Sequence, residues 1–218
     1  MKNRRKWLAL CLAAVLLLTG CANAAEGGNA TDPQATTSPP VTGNLICVEI
    51  SRFSGSYVED GKDQQVRDVA AILVGNNTGK FVDLAIVSYR VGNRTLEFRV
   101  TGLPAGRKVW VLESKGQVLK DGDELELLDC QESYNANPIT STDDLTVVRQ
   151  GKTLQVTKSS GKKLSNVVVY YKNTLEDGTF LGGITYVMNF GEMESGATAS
   201  RSADHFNETS EIVRFSYQ

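Results

Sequence analysis

Histidine occurs once in these 218 residues, proline five times, and the only thiols are four cysteines. One imidazole cannot furnish a His-rich zinc site, and so few nucleophile and base candidates leave no clustered reaction centre in the sequence. Positive charge is scarce too, with 23 Lys and Arg against 25 Asp and Glu. Four of those bases lie in the first twenty residues, which hold no acid, so removal of that segment leaves 19 bases and a net charge near −6. An acidic surface lacks the basic footprint that phosphate backbones require, so nucleic acid is not an expected partner. The apolar run from Trp7 to Leu18 is too short to cross a bilayer comfortably as a helix. With 41% hydrophobic and 22% charged residues, the chain is neither disordered nor collagen-like.

What the N-terminus does hold is an address. Lys2, Arg4, Arg5 and Lys6 precede the apolar run as the n-region of an export signal at 1–20. The run ends in Leu18-Thr19-Gly20-Cys21, which resembles the bacterial lipobox. That resemblance implies cleavage before Cys21, lipidation of its thiol, and an extracytoplasmic protein anchored to the outer leaflet of the cell membrane. The following stretch is Ala, Asn, Gly, Thr, Ser and Pro with hardly a large apolar side chain before Val41. It cannot bury enough surface to fold, so residues 21–44 are expected to be a disordered tether. A flexible chain of that length has an r.m.s. reach of about 25–30 Å.

From Leu45 onward, short β-branched and aromatic runs alternate with Gly, Asn and Asp turns, and no stretch keeps a 3.6-residue apolar period. The pattern predicts an all-β fold. Strands are expected at 45–50, 66–74, 81–91, 95–100, 108–114 and 124–130, then at 145–149, 154–158, 165–172, 180–190, 197–202 and 212–216. A polar run at 132–144, with Asn135, Asn137, Pro138, Asp143 and Asp144, is the expected hinge between domains at 45–131 and 145–218. Each is large enough for a small two-sheet core.

The two segments are also related to each other. Aligning Gly79 with Gly161 sets 74–89 against 156–171 without a gap and with five identities: Val74/Val156, Gly79/Gly161, Lys80/Lys162, Val87/Val169 and Tyr89/Tyr171. Composition alone predicts about one. Both copies later meet a turn, Leu103-Pro104-Ala105-Gly106 or Met193-Glu194-Ser195-Gly196. The second copy carries eight more residues before it, which a longer hairpin around 175–183 would absorb. Strand parity points Ala85, Val87, Tyr89, Val167, Val169 and Tyr171 inward, leaving Ser88, Arg90, Tyr170 and Lys172 toward solvent. Ile86 and Val168 break the polar alternation, which implies a partly covered outer face.

The order of GK turn, V-x-V-x-Y strand, acidic-Gly turn, strand and Gly turn is similar to FxLYD-type and related immunoglobulin-like β-sandwich domains of bacterial envelope proteins. The stretches Val167-Val168-Val169-Tyr170-Tyr171-Lys172-Asn173 and Phe180-Leu181-Gly182-Gly183-Ile184-Thr185-Tyr186 resemble a family of uncharacterised lipoproteins from anaerobic Gram-positive bacteria. The resemblance covers most of 66–218 and implies two tandem immunoglobulin-like sandwiches and an envelope address. It brings no catalytic residues.

Four features could carry chemistry. Cys47 and Cys130 bracket the first domain, and in an exported protein an even pair is expected to form a disulfide worth ~2–4 kcal/mol. His205 lies in Ser202-Ala203-Asp204-His205, but such close neighbours make a poor triad relay, and a polar loop is expected. The acids of Asp121-Gly122-Asp123-Glu124-Leu125-Glu126 depart from the EF-hand order and fit a hairpin turn. Trp110, Tyr134, Tyr170, Tyr186 and Tyr217 would make a sugar platform if exposed together, although Trp110 alternates with Val109 and Val111 as a packed residue does. Neither cofactor nor metal is expected. The expected function is non-enzymatic binding of an envelope protein or wall polymer, with a carbohydrate-binding or carbohydrate-processing surface protein as the alternative.

Overall fold

The computed structural model describes residues 45–59 and 62–218; the expected signal, the lipidation residue Cys21 and the tether lie outside them. Twelve strands and no helix occur among the described residues. They are β1 (Leu45–Glu59), β2 (Lys62–Asn76), β3 (Phe81–Val91), β4 (Arg94–Leu103), β5 (Lys108–Leu112) and β6 (Glu126–Asn135) in the first half. The second half has β7 (Leu145–Gln150), β8 (Thr153–Lys158), β9 (Leu164–Thr174), β10 (Phe180–Met193), β11 (Thr198–Ser202) and β12 (Ser210–Ser216). Every strand expected from the sequence has a counterpart, and the fold is all-β. Tight turns set several boundaries: Val91 pairs with Arg94 across a two-residue loop in which Gly92 takes φ 57°, the left-handed conformation such hairpins require. The largest departure is the β1–β2 hairpin, whose paired arms extend from Leu45↔Asn76 to Glu59↔Lys62. Its outer part is polar and glycine-containing, so backbone pairing forms strands there without the apolar alternation that would reveal them.

The strands assemble into three sheets, ordered β1-β2-β5-β10-β9-β12, β4-β3-β6 and β11-β8-β7. The halves repeat one pairing scheme. In the first, β2 pairs with β1 and β5 while β3 pairs with β4 and β6; in the second, β8 pairs with β7 and β11 while β9 pairs with β10 and β12. Hydrogen bonds repeat at aligned positions. Gly106 N–H donates to Asn76 O at 2.8 Å and Gly196 N–H to Lys158 O at 3.0 Å, while Asn76 N–H reaches Arg107 O and Lys158 N–H reaches Ala197 O. The polar side chains buried at this position answer the same need, since Asn76 Nδ2 donates to Lys80 O and Leu103 O and Lys158 Nζ to Ser159 O and Ser160 O.

Each half has its own apolar cluster. Ala85, Val87 and Tyr89 are fully buried in one, Val167, Val169 and Tyr171 in the other, as strand parity predicts. Tyr89 meets Phe98 edge-on at 6.0 Å and Tyr171 meets Phe206 edge-on at 5.0 Å. Burial of a large apolar side chain contributes about 1.5–3 kcal/mol, so these rings anchor their cores.

The halves are joined where the second copy is longer. Residues 175–179 form the loop, and Phe180 and Leu181 then pair in parallel with Val109 and Trp110 of β5, making one six-stranded sheet from strands of both halves. Phe180 and Val213 belong to the first half's apolar cluster, with Tyr170 packed against it. This covers the face of β9 expected to meet solvent. Lys172 in particular is fully buried rather than exposed, and its Nζ donates to the carbonyls of Gly182, Gly183 and Ile184 at 3.0, 2.9 and 3.1 Å. Those carbonyls are presented because β10 carries extra residues between Leu181↔Asn173 and Tyr186↔Tyr171. The polar run at 132–144 is tied down as well: Phe215 N–H donates to Ile139 O at 2.7 Å, and the Tyr217 hydroxyl contacts Thr142 Oγ1 and Asp144 Oδ2.

Candidate functional site at the seam

Arg214 of β12 organises the seam. Its Nη1 donates to Asp83 Oδ1 of β3 at 2.8 Å, and its guanidinium lies 4.2 Å from the Tyr170 ring and 5.8 Å from that of Phe81. Beside it, Thr185 N–H donates to Thr101 Oγ1 at 2.7 Å and Thr185 Oγ1 donates to Thr101 O at 2.7 Å. Gly102 permits this approach, because a Cβ there would stand 2.5 Å from Thr185 Oγ1. A second tie runs from Arg107 to both Glu211 oxygens at 2.6 and 2.8 Å, with the guanidinium 4.2 Å from the Phe180 ring. Partly exposed pairs of this kind contribute about 0.2–1 kcal/mol each, so they set register more than stability.

These contacts leave two concavities, and Arg214 lines both. The larger, about 270 Å³, is lined by Asp83, Thr101, Tyr170, Thr185 and Arg214 among others. The smaller, about 160 Å³, is lined by Asn135, Asn137, Ile139 and residues 214–217. The only charges among these residues are Asp83 and Arg214, which face each other.

The residues singled out in the sequence are placed as follows. Cys47 and Cys130 lie on opposing sheets, and the bridge expected between them is not formed: each is a free thiol, Cys47 Sγ directed at Glu49 O and Cys130 Sγ at Glu132 Oε1, both at 3.5 Å. Tyr89 lies beside both. Burial pushes the Cys47 thiol up, and burial followed by the Glu132 carboxylate pushes Cys130 up to about 12. Ser202, Asp204 and His205 do not converge. Ser202 Oγ meets Thr153 Oγ1 at 2.7 Å, Asp204 meets Lys152 Nζ at 3.7 Å, and His205 lies against the rings of Tyr186 and Tyr171 at 4.1 and 5.8 Å. Burial holds the His205 imidazole below its usual range, opposed by Asp204.

Three of the four acids at 121–126 are taken up by separate arginines, Asp121 by Arg52, Asp123 by Arg94 and Glu126 by Arg90. Among the described residues no three His, Cys, Asp or Glu side chains gather as a metal would need. The aromatics are scattered. Trp110 is half-buried on the outer face of the six-stranded sheet beside Phe53, Leu112 and Leu181, the Tyr134 hydroxyl donates to Glu132, and Tyr186 is buried. Only Tyr170 and Tyr217 reach the seam concavities. Asp83, Thr101 and Arg214 are seam residues that sequence reasoning does not single out, and it names Asn135 and Asn137 only for the hinge and Thr185 only within a family motif. The sole trace is an arginine between Val213 and Phe215 in a strand.

None of the family models or curated sequences compared with the chain matches it. Among solved structures it is similar to the C-terminal globular domain of an oligosaccharyltransferase from Pyrococcus abyssi, with 11% identity over 80% of this chain and a TM-score of 0.19. The chain spans half the length of that structure, and so loose a superposition carries no argument.

Proposed function

We propose that this chain is a non-enzymatic, lipid-anchored protein of the cell envelope that binds another envelope protein or a wall polymer at its seam. In this reading Cys21 carries the lipid, residues 21–44 hold the folded part clear of the outer leaflet, and the two halves are tandem immunoglobulin-like, FxLYD-like sandwiches. Sandwiches of this class commonly present surfaces rather than reaction centres. One observation carries the proposal: the two concavities that Arg214 lines draw their walls from both halves, and clefts between packed elements are favoured ligand sites. Carbohydrate binding or processing is the second reading, and the presence of Tyr170 and Tyr217 at those concavities favours it.

The test is crosslinking and affinity recovery from native envelopes, comparing the wild-type chain with Cys21→Ala. The wild type is expected in the membrane fraction with a specific partner, and Cys21→Ala is expected to lose the lipid mass and leave that fraction. An unlipidated wild type overturns the anchor, and recovery of no specific protein or glycan overturns the binding role.

A further inference from the structure

Three ligand classes suit an envelope protein: an extended peptide, a polyanion and a neutral glycan. The seam discriminates among them. A peptide would add to the free border of β12, but Phe215 N–H there already donates to Ile139 O at 2.7 Å, which interrupts the row of backbone groups that strand addition needs. A phosphate-rich polymer needs cations without acid partners, and the one cation between the concavities is neutralised by Asp83 at 2.8 Å.

Besides that pair the walls mix apolar side chains, Phe81, Ile184 and Val213 in the larger concavity and Ile139 and Phe215 in the smaller, with uncharged polar groups. Asn135 Oδ1 accepts from Asn137 N–H at 3.1 Å. The Asn135 amide nitrogen, both amide atoms of Asn137 and Ser216 Oγ have no protein hydrogen-bond partner among the described residues, and Asn137 and Ser216 are exposed. The larger concavity holds the partly exposed Tyr170 ring and the second oxygen of Asp83, able to accept from a hydroxyl. Side-chain amides, hydroxyls and an aromatic ring suit the hydroxyls and amides of a sugar. Volumes of about 270 and 160 Å³ fall below the ~300–1,000 Å³ of pockets that enclose drug-sized molecules, so each side holds a small part of a chain.

From this we infer that the seam binds a neutral, hydroxyl- and amide-bearing glycan laid across Arg214, one segment in each concavity. This rests on the binding role proposed above and names its ligand class. The experiment titrates the full-length chain in detergent micelles with chitotetraose by calorimetry, with dextran sulfate as competitor. Asn137→Ala is expected to weaken chitotetraose binding at least tenfold. Ser216→Trp, which fills the smaller concavity from an exposed position, is expected to abolish it, and Trp110→Phe on the far face of the sheet is expected to leave it unchanged. Circular dichroism and thermal melts confirm that each variant is folded. Chitotetraose binding insensitive to Asn137→Ala and Ser216→Trp overturns the inference, as does displacement by dextran sulfate. Absence of chitotetraose binding at millimolar concentration, with a specific protein still recovered from envelopes, overturns the glycan and leaves the binding role standing. Absence of both overturns the two together.

Discussion

Replacing Lys172 by methionine tests the account of the seam directly, because the repeat supplies an internal control. Lys172 and Arg90 are aligned one residue after Tyr171 and Tyr89, yet Lys172 is fully buried and Arg90 is exposed beside Glu126. Methionine keeps the length of the stem and removes the ammonium, so the carbonyls of Gly182, Gly183 and Ile184 lose donors now 2.9–3.1 Å away. A buried acceptor left unpaired costs about 1–3 kcal/mol, and relief from desolvating the ammonium offsets part of the total. The net destabilisation is about 3 kcal/mol. For a chain of this size that lowers the melting temperature by roughly 6–12 °C. Urea unfolding followed by Trp110 fluorescence and thermal melts by circular dichroism measure it. Arg90→Met is expected to melt with the wild type. A Lys172→Met protein as stable as the wild type, or an Arg90→Met protein that loses as much, refutes the claim that the ammonium holds the bulge of β10.

Tyr171 is fully buried and its hydroxyl has no hydrogen-bond partner among the described residues, so Tyr171→Phe removes an unsatisfied polar group and is expected to stabilise by about 1 kcal/mol; a clear loss in urea midpoint would show that the hydroxyl is used. The Cys130 thiol, held up to about 12, is expected to resist iodoacetamide in the folded protein at pH 8–9, where an ordinary thiol ionises, and to react as pH rises toward that value. Rapid labelling of Cys130 at pH 8 in the folded protein would contradict this.

Much of the fold is legible in the sequence because side-chain alternation is a local property. Most of the strands announce themselves by β-branched or aromatic runs between turn residues, and the inward set of Ala85, Val87 and Tyr89 follows from parity alone. The repeat is legible because identical residues, Gly79 and Gly161 among them, stand at corresponding turns, although only Gly161 takes a positive φ there. What stays hidden depends on where strands go after they form. The parallel pairing of Phe180 and Leu181 with β5 uses backbone groups that every residue possesses, so no side-chain pattern records it. Lys172 shares its parity with Arg90, and only the bulge of β10 distinguishes them. The seam residues illegible in advance are brought together from far apart in the chain, Asp83 and Arg214 by 131 positions.

The unequal length of the two copies bears on whether a third unit could add to the join in the same way. A join between non-equivalent edges of two like units is head-to-tail and does not close on itself, so identical units would offer the same border to each newcomer without end. Here the joining stretch, Phe180 and Leu181, lies in the part of the second copy that the first lacks. The first copy's β4 starts at Arg94 directly after a two-residue turn, and has nothing of that kind to lay against β11 of another molecule. The insertion that joins the pair is also what denies the join a third participant.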